Sequence, residues 1–154
     1  MILICIVELI ILFLFFNSII QKQHTAIQKM EHESEIQDIW IGNLQRSMFL
    51  SRFFKANNIS EVVVFGCDHL GETLYHELIS NDITVKFFID DKRNDRLFWH
   101  RQVPIINMSE FEKKAAAETI VVAETDMFKA LKERLGEDYP GKILCLEDLV
   151  RALV

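Results

Sequence analysis

Apolar positions fall into three rhythms along this chain. From Ile2 to Ile20 they are almost continuous, interrupted by Glu8, Asn17 and Ser18. From Gln21 to Glu35 polar side chains dominate, without Gly or Pro and without a steady apolar stripe. Beyond Ile36, short apolar runs alternate with segments whose apolar residues recur every three to four positions. That alternation is the signature of strands interleaved with helices.

The clearest strand is Glu61-Val62-Val63-Val64-Phe65, a β-branched and aromatic run with no polar interruption, as suits a strand buried on both faces of a parallel sheet. Gly66 ends it. Leu70, Leu74, Leu78 and Ile79 then recur at helical spacing, and Thr84 to Asp90 reads as the next strand. Upstream, Ile36, Trp40, Leu44 and Met48, continued by Leu50, Phe53 and Phe54, predict one amphipathic helix ended by Asn57 and Asn58. It packs on the sheet or pairs with another chain. Downstream, Val103 to Ile106 is a short strand whose Pro104 implies an edge or a strand start. Ser109-Glu110-Phe111-Glu112 matches a capping box and opens a helix through Ala117. Thr119 to Ala123 is a buried strand, and Thr125 or Asp126 caps a helix carrying Met127, Phe128, Leu131 and Leu135, stopped by Gly136. Lys142 to Leu146 is the last strand, and Glu147 to Ala152 a closing helix.

Strands alternating with helices imply an α/β fold, a Rossmann-like parallel sheet of about five strands with helices on both faces. An N-terminal transmembrane helix and a helical stalk precede it. The expected domains are a signal anchor over residues 1–20, a stalk and amphipathic helix over 21–58, and a nucleotide-binding domain over 59–154.

The anchor follows from length and hydropathy. Residues 2–20 suffice to cross a bilayer as a helix. Leu, Ile, Phe and Val contribute roughly -0.3 to -0.6 kcal/mol each against roughly +3 kcal/mol for one carboxylate, so insertion outweighs Glu8. No basic n-region or small-residue cleavage site marks a signal peptide. Lys22 and Lys29 follow the segment, which places the remainder in the cytoplasm, single-pass on the inner membrane.

Charge and cysteines narrow the function classes. With 17 Lys and Arg against 23 Asp and Glu, a formal charge of -6, nucleic acid is an unfavourable partner, because phosphate neutralisation needs clustered cations. Cys5, Cys67 and Cys145 form no CxxC pair, so neither a disulfide framework nor a thiolate metal site is expected. Tyr75 and Tyr139 lack a Lys four residues on, so the Tyr-x-x-x-Lys proton-transfer pair is missing. No Walker lysine, nucleophile elbow or His-Glu-x-x-His is present either, and no catalytic residue is assigned.

The candidate chemistry lies at the first turn. Gly66-Cys67-Asp68-His69-Leu70-Gly71 keeps the first and third glycines of the GxGxxG dinucleotide fingerprint, and Asp90 follows Gly71 by nineteen residues, near the spacing of the acid that binds a ribose. These residues and Thr125 are the cofactor-binding candidates, for NAD(P) or a nucleotide-sugar. Asp68 replaces the second glycine. A carboxylate there opposes a phosphate by on the order of 1 kcal/mol or more. The site is degenerate, or takes a less anionic ligand, or uses a divalent cation as a bridge. Lys92, Arg93 and Arg96 stand close enough in sequence to meet a 2'-phosphate.

Taken in order, Val62-Val63-Val64-Phe65-Gly66, Leu70-Gly71, Leu74-Tyr75, Glu77-Leu78, Val85 to Asp91, Val103 to Ile106, Ile120 to Ala123 and Leu146-Glu147-Asp148-Leu149-Val150 resemble small bacterial Rossmann-like NAD(P)- or nucleotide-binding modules. Such modules occur in or beside enzymes of surface-polysaccharide synthesis, and similar domains begin sugar acyltransferases and sugar epimerase/dehydratases. The resemblance covers about residues 50–151. It implies Gly66 and Gly71 in a phosphate turn and Asp90 on a ribose; Asp68 departs from it. The related enzymes carry a second, catalytic domain, for which about 100 residues of sheet and helices leave no room.

Overall fold

Val62 and Val64 pack into one hydrophobic core and Val63 and Phe65 into another, as alternation along a strand buried on both faces requires. The structure, a computed structural model, describes residues 2–92, 97–98, 103–114 and 117–153, with the backbone alone for residues 2–7, 97 and 98. The elements in order are α1 (Ile2–Gln45), α2 (Leu50–Ala56), β1 (Glu61–Phe65), α3 (His69–Ile79), β2 (Thr84–Ile89), β3 (Leu97–Phe98), β4 (Val103–Ile106), α4 (Met108–Lys114), β5 (Thr119–Val122), α5 (Phe128–Leu135), β6 (Lys142–Cys145) and α6 (Leu146–Arg151).

Five strands run parallel in the order β4-β2-β1-β5-β6, and the two-residue β3 adds antiparallel beside β4. Numbered along the chain, the parallel strands read 3-2-1-4-5. This is the Rossmann order, whose direction of winding reverses between the first and fourth strands, here β1 and β5. Helices cover both faces. Buried residues of α2, α3, α6 and the end of α1 join the core that holds Val62 and Val64, while Met108 and Phe111 of α4 and Leu131 of α5 join the other.

The chain divides into two compact units, Met1–Glu35 and Ile36–Val154. In the first, the large apolar side chains from Leu9 to Ile20 are exposed. Among the described residues no helix is long and apolar enough to cross a membrane. The anchor expected over residues 2–20 begins with residues 2–7, whose side chains lie outside the description; residues 8–20 by themselves make a short run diluted by Glu8, Asn17 and Ser18. Arg93, Arg96 and His100 also lie outside the described residues.

Three local features differ from the pattern-based expectation. The amphipathic helix expected through residues 36–54 is two helices, because α1 ends in a reversal at Ser47 (φ 59°). The Met48 N–H bonds Asn43 O at 2.9 Å and the Ser47 N–H bonds Leu44 O at 2.9 Å, the hydrogen-bond pair of a Schellman end with Ser in the place that Gly usually takes. The capping box of α4 is two residues early. Asn107 Oδ1 accepts from Glu110 N at 2.8 Å, and Glu110 Oε2 accepts from Asn107 N at 3.3 Å, so Asn107 and Glu110 perform the reciprocal capping assigned to Ser109 and Glu112. Finally, Thr125 to Met127 form a 3-10 turn ahead of α5, and neither this turn nor α5 has a side-chain cap.

In β2, Val62 pairs with Val85 but Val64 with Phe88. The extra residue is a bulge. It leaves Lys86 exposed and hydrogen-bonded to Glu118 at 2.6 Å, while Phe87 and Phe88 enter opposite cores.

Candidate functional site

The winding reversal falls between β1 and β5, and the carboxyl ends of the strands beside such a reversal are the location at which open α/β sheets bind ligands. Four strand ends are joined there. Gly66 N–H continues the ladder to Ile89 O at 2.9 Å, Ala123 N–H bonds Phe65 O at 2.9 Å, and Asp90 N–H bonds Ile106 O at 3.0 Å. Gly66, Asp90 and Glu124 are thereby brought to one edge.

Gly66 adopts φ +98°, and a Cβ there would stand 3.1 Å from Glu124 Cβ. A side chain is disfavoured by the backbone strain and crowded by Glu124. Gly71 answers a different need. Its added Cβ would lie 2.2 Å from Gly66 O, so only glycine lets the first turn of α3 close on the end of β1, the packing role of the third glycine of the fingerprint.

Asp68 is the N-cap of α3. Its Oδ1 accepts from Gly71 N at 3.4 Å with extended backbone (φ -76°, ψ -169°). Its position therefore has no need of glycine. The carboxylate answers the partial positive charge of the helix N-terminus, the charge that would otherwise be offered to a phosphate.

Asp90 lies at the end of β2. Oδ2 accepts from Cys67 N at 3.2 Å and Oδ1 from Lys92 N at 2.8 Å. An ionised carboxylate offers about four lone-pair sites, so these two bonds fix its orientation and leave capacity for hydroxyl donors. Asp91 turns away, accepting from Met108 N at 2.7 Å at the start of α4.

Of the sequence candidates, Cys67 and Asp90 share one hydrogen bond and Asp68 and Gly71 another, while the Gly66 N–H bonds Ile89 O just before Asp90. Cys67 is buried and contributes its backbone N–H; Leu70 is buried in the core beside α3. His69 is exposed in the first turn of α3, and Thr125 is half-buried directly after Glu124. The sequence reading left out Glu124. It is 8% exposed and forms an ion pair with Lys92 Nζ. The legible signal was an acid directly after the apolar run of β5, at the strand that borders the winding reversal. Among the described residues no group of three or more His, Cys, Asp or Glu could hold a metal ion.

A concavity of about 460 Å³ lies elsewhere, between α4, α5 and the turn entering β6. Phe111, Leu135, Tyr139 and Pro140 line it, and Arg134 spans both oxygens of Glu112 at its rim, at 2.7 and 3.3 Å. Burial raises the Tyr139 phenol above its ordinary pKa. Its hydroxyl donates to Glu118 O at 2.8 Å and accepts from Glu118 N at 3.1 Å, which ties the turn to the start of β5. None of the sequence candidates lies there. Compared with known proteins, the chain matches no family model, no curated protein and no solved structure.

Proposed function

We propose that this chain is a non-catalytic Rossmann-like module that binds a nucleotide-type ligand, NAD(P) or a nucleotide-sugar, in the crevice between β1 and β5. The observation that carries the reading is the convergence of the Gly66 turn and the Asp90 carboxylate at the winding reversal. The Asp90 oxygens have lone pairs to accept from ribose hydroxyls. Resemblance of the motif order to modules of surface-polysaccharide synthesis supports an accessory role in building the bacterial envelope.

The proposal extends to location. The exposed apolar side chains from Leu9 to Ile20 surround α1 on all sides, and a helix apolar all round suits lipid. Lys22 and Lys29 beyond it favour a cytoplasmic module on the inner membrane. Flotation with anionic lipid vesicles tests this: the full chain is expected to float and a chain lacking residues 1–20 to stay behind. Equal partitioning of the two overturns the anchor.

A second reading has its own observation. The carboxylates of Asp68 and Glu124 crowd the turn that phosphates would approach, which supports an interaction module whose pocket has lapsed. Its docking surface would include the helical segment of residues 36–54, through a protein partner or a second copy. Thermal unfolding of the full chain in detergent with NAD, NADP and UDP-sugars separates the two readings. A ligand at 100 times its dissociation constant adds about 2.7 kcal/mol. Stabilisation that disappears in Asp90→Ala supports ligand binding. No stabilisation by any of these ligands, in the wild type or in Asp68→Gly, overturns it and favours the interaction module.

A further inference from the structure

Asp90, Gly66 and Glu124 follow three neighbouring strands, β2, β1 and β5. Lys92, two residues past Asp90, reaches across the end of β1 to pair with Glu124. Its root is held in place, because its own N–H bonds Asp90 Oδ1 at 2.8 Å while Asp90 Oδ2 holds the Cys67 N–H at 3.2 Å. The far end is held as well. The root of Glu124 stands beside Gly66, where an added Cβ would lie 3.1 Å from Glu124 Cβ and 3.2 Å from its backbone N.

The lysine ammonium is thus held by a carboxylate whose residue adjoins Gly66, the turn that carries phosphates in dinucleotide-binding sheets. The two partners differ in setting: the Lys92 side chain is 70% exposed and that of Glu124 is 10%. The N-terminus of α3, the ordinary phosphate site, already has the Asp68 carboxylate. A phosphate entering this crevice is repelled at the helix and meets a cation at Lys92.

We infer that Lys92 is the phosphate-binding residue of the crevice and that Glu124 is its built-in competitor, displaced from the ammonium when a nucleotide's phosphate binds. The inference rests on the nucleotide reading of the crevice. It assigns the phosphate to a side chain two residues past the ribose acid instead of to the helix N-terminus. Charge-assisted bonds from lysine to phosphate are strong, but each must be made at the expense of a nearly buried carboxylate that loses a partner. The wild-type protein therefore discriminates only weakly between a nucleotide and its nucleoside.

Calorimetric titration of the full chain in detergent, with ADP and UDP against adenosine and uridine, tests this. Glu124→Gln is expected to raise the preference for nucleoside diphosphate over nucleoside, both measured on that variant, about tenfold above that of the wild type. Lys92→Met is expected to bind the diphosphates no better than the nucleosides. Because Lys92→Met removes one partner of a nearly buried acid, Lys92→Met/Glu124→Gln, uncharged at both positions, is measured beside it. The double variant is also expected to lack the preference for phosphate, so that the gain from Glu124→Gln depends on Lys92. Diphosphate binding that is indifferent to both substitutions overturns the inference and leaves the nucleotide reading standing. Absence of binding by all four compounds in the wild type and every variant overturns both.

Discussion

Trp40 Nε1 donates to Glu77 Oε2 at 2.6 Å, and the other oxygen of the same carboxylate accepts from Ser51 N at 3.3 Å. One side chain on α3 thereby holds the end of α1 and the beginning of α2. Phe49, the N-cap of α2, offers no side-chain cap, so the acid of another helix satisfies an N–H that would otherwise have no partner.

Removing that carboxylate should loosen three helices together. Glu77→Ala leaves the Trp40 and Ser51 donors in partly buried surroundings, and unsatisfied donors cost about 1–3 kcal/mol each. Chemical denaturation should show a loss of about 2–4 kcal/mol. A loss within about 0.5 kcal/mol, the range of ordinary surface changes, would mean that water replaces the carboxylate freely.

Glu77 also carries a pH dependence of definite sign. Burial is the largest influence on it and raises its pKa above 4.5, against the lowering effect of the bonds from Trp40 and Ser51. Between pH 4.5 and the raised native value the folded chain keeps a proton that the unfolded chain has released. The contribution of this group to stability therefore declines as pH rises through that window. Glu77→Gln does not titrate. The stability of the wild type relative to Glu77→Gln should be greater near pH 4.5 than near pH 7, and a difference that does not vary with pH would contradict the assignment.

Two glycines should respond oppositely to alanine. Gly71→Ala drives a Cβ to 2.2 Å from Gly66 O, and backbone cannot yield as a side-chain tip can, so a loss of about 3 kcal/mol or more is expected. Gly42 lies inside α1 with nothing within 4 Å of an added Cβ. Gly42→Ala should gain about 0.5–1 kcal/mol from helix propensity. Melting temperatures moving in the same direction for both would refute the packing argument.

Asp68 has a structural duty separable from any ligand. Asp68→Ala removes the N-cap of α3 and should cost about 1 kcal/mol, whereas Asp68→Asn keeps a capping oxygen and should cost much less. Equal losses would show that the charge on the helix terminus, and not the hydrogen bond, is what matters there.

The Tyr139 hydroxyl bonds both backbone groups of Glu118. Tyr139→Phe should lower stability by about 1–3 kcal/mol and speed hydrogen exchange at the Glu118 amide. An unchanged exchange rate at that amide would remove the tie between the turn and β5.

Much of this architecture was written locally. The run Val62 to Phe65, the spacing of Leu70, Leu74 and Leu78, and Gly66 and Gly136 as stops are all legible, because each depends on neighbours within a turn or a strand. Where several residues could serve one purpose, the pattern was ambiguous. Ser109 with Glu112 and Asn107 with Glu110 both carry capping chemistry, and packing of Met108 and Phe111 on the sheet selects the earlier pair. Ser47 gave no warning of a break, since a positive φ at serine is stabilised by the Schellman bonds and the burial of Leu50 and Phe54 that follow. Leu97 and Phe98, two residues in a charged connector, had no alternation to announce a strand.

The chain's own pattern of apolar runs settled that strands alternate with helices and that a glycine turn and an acid close the first two strands, because those features are decided within about ten residues. It could not settle which strand lies beside β1. That choice follows from pairing both edges of β1, with β2 on one side and β5 on the other, and it brings Glu124 beside Gly66 and within reach of Lys92, 32 residues away in the chain. Local periodicity carries no information on contacts between distant segments; they arise only when the sheet closes its two cores.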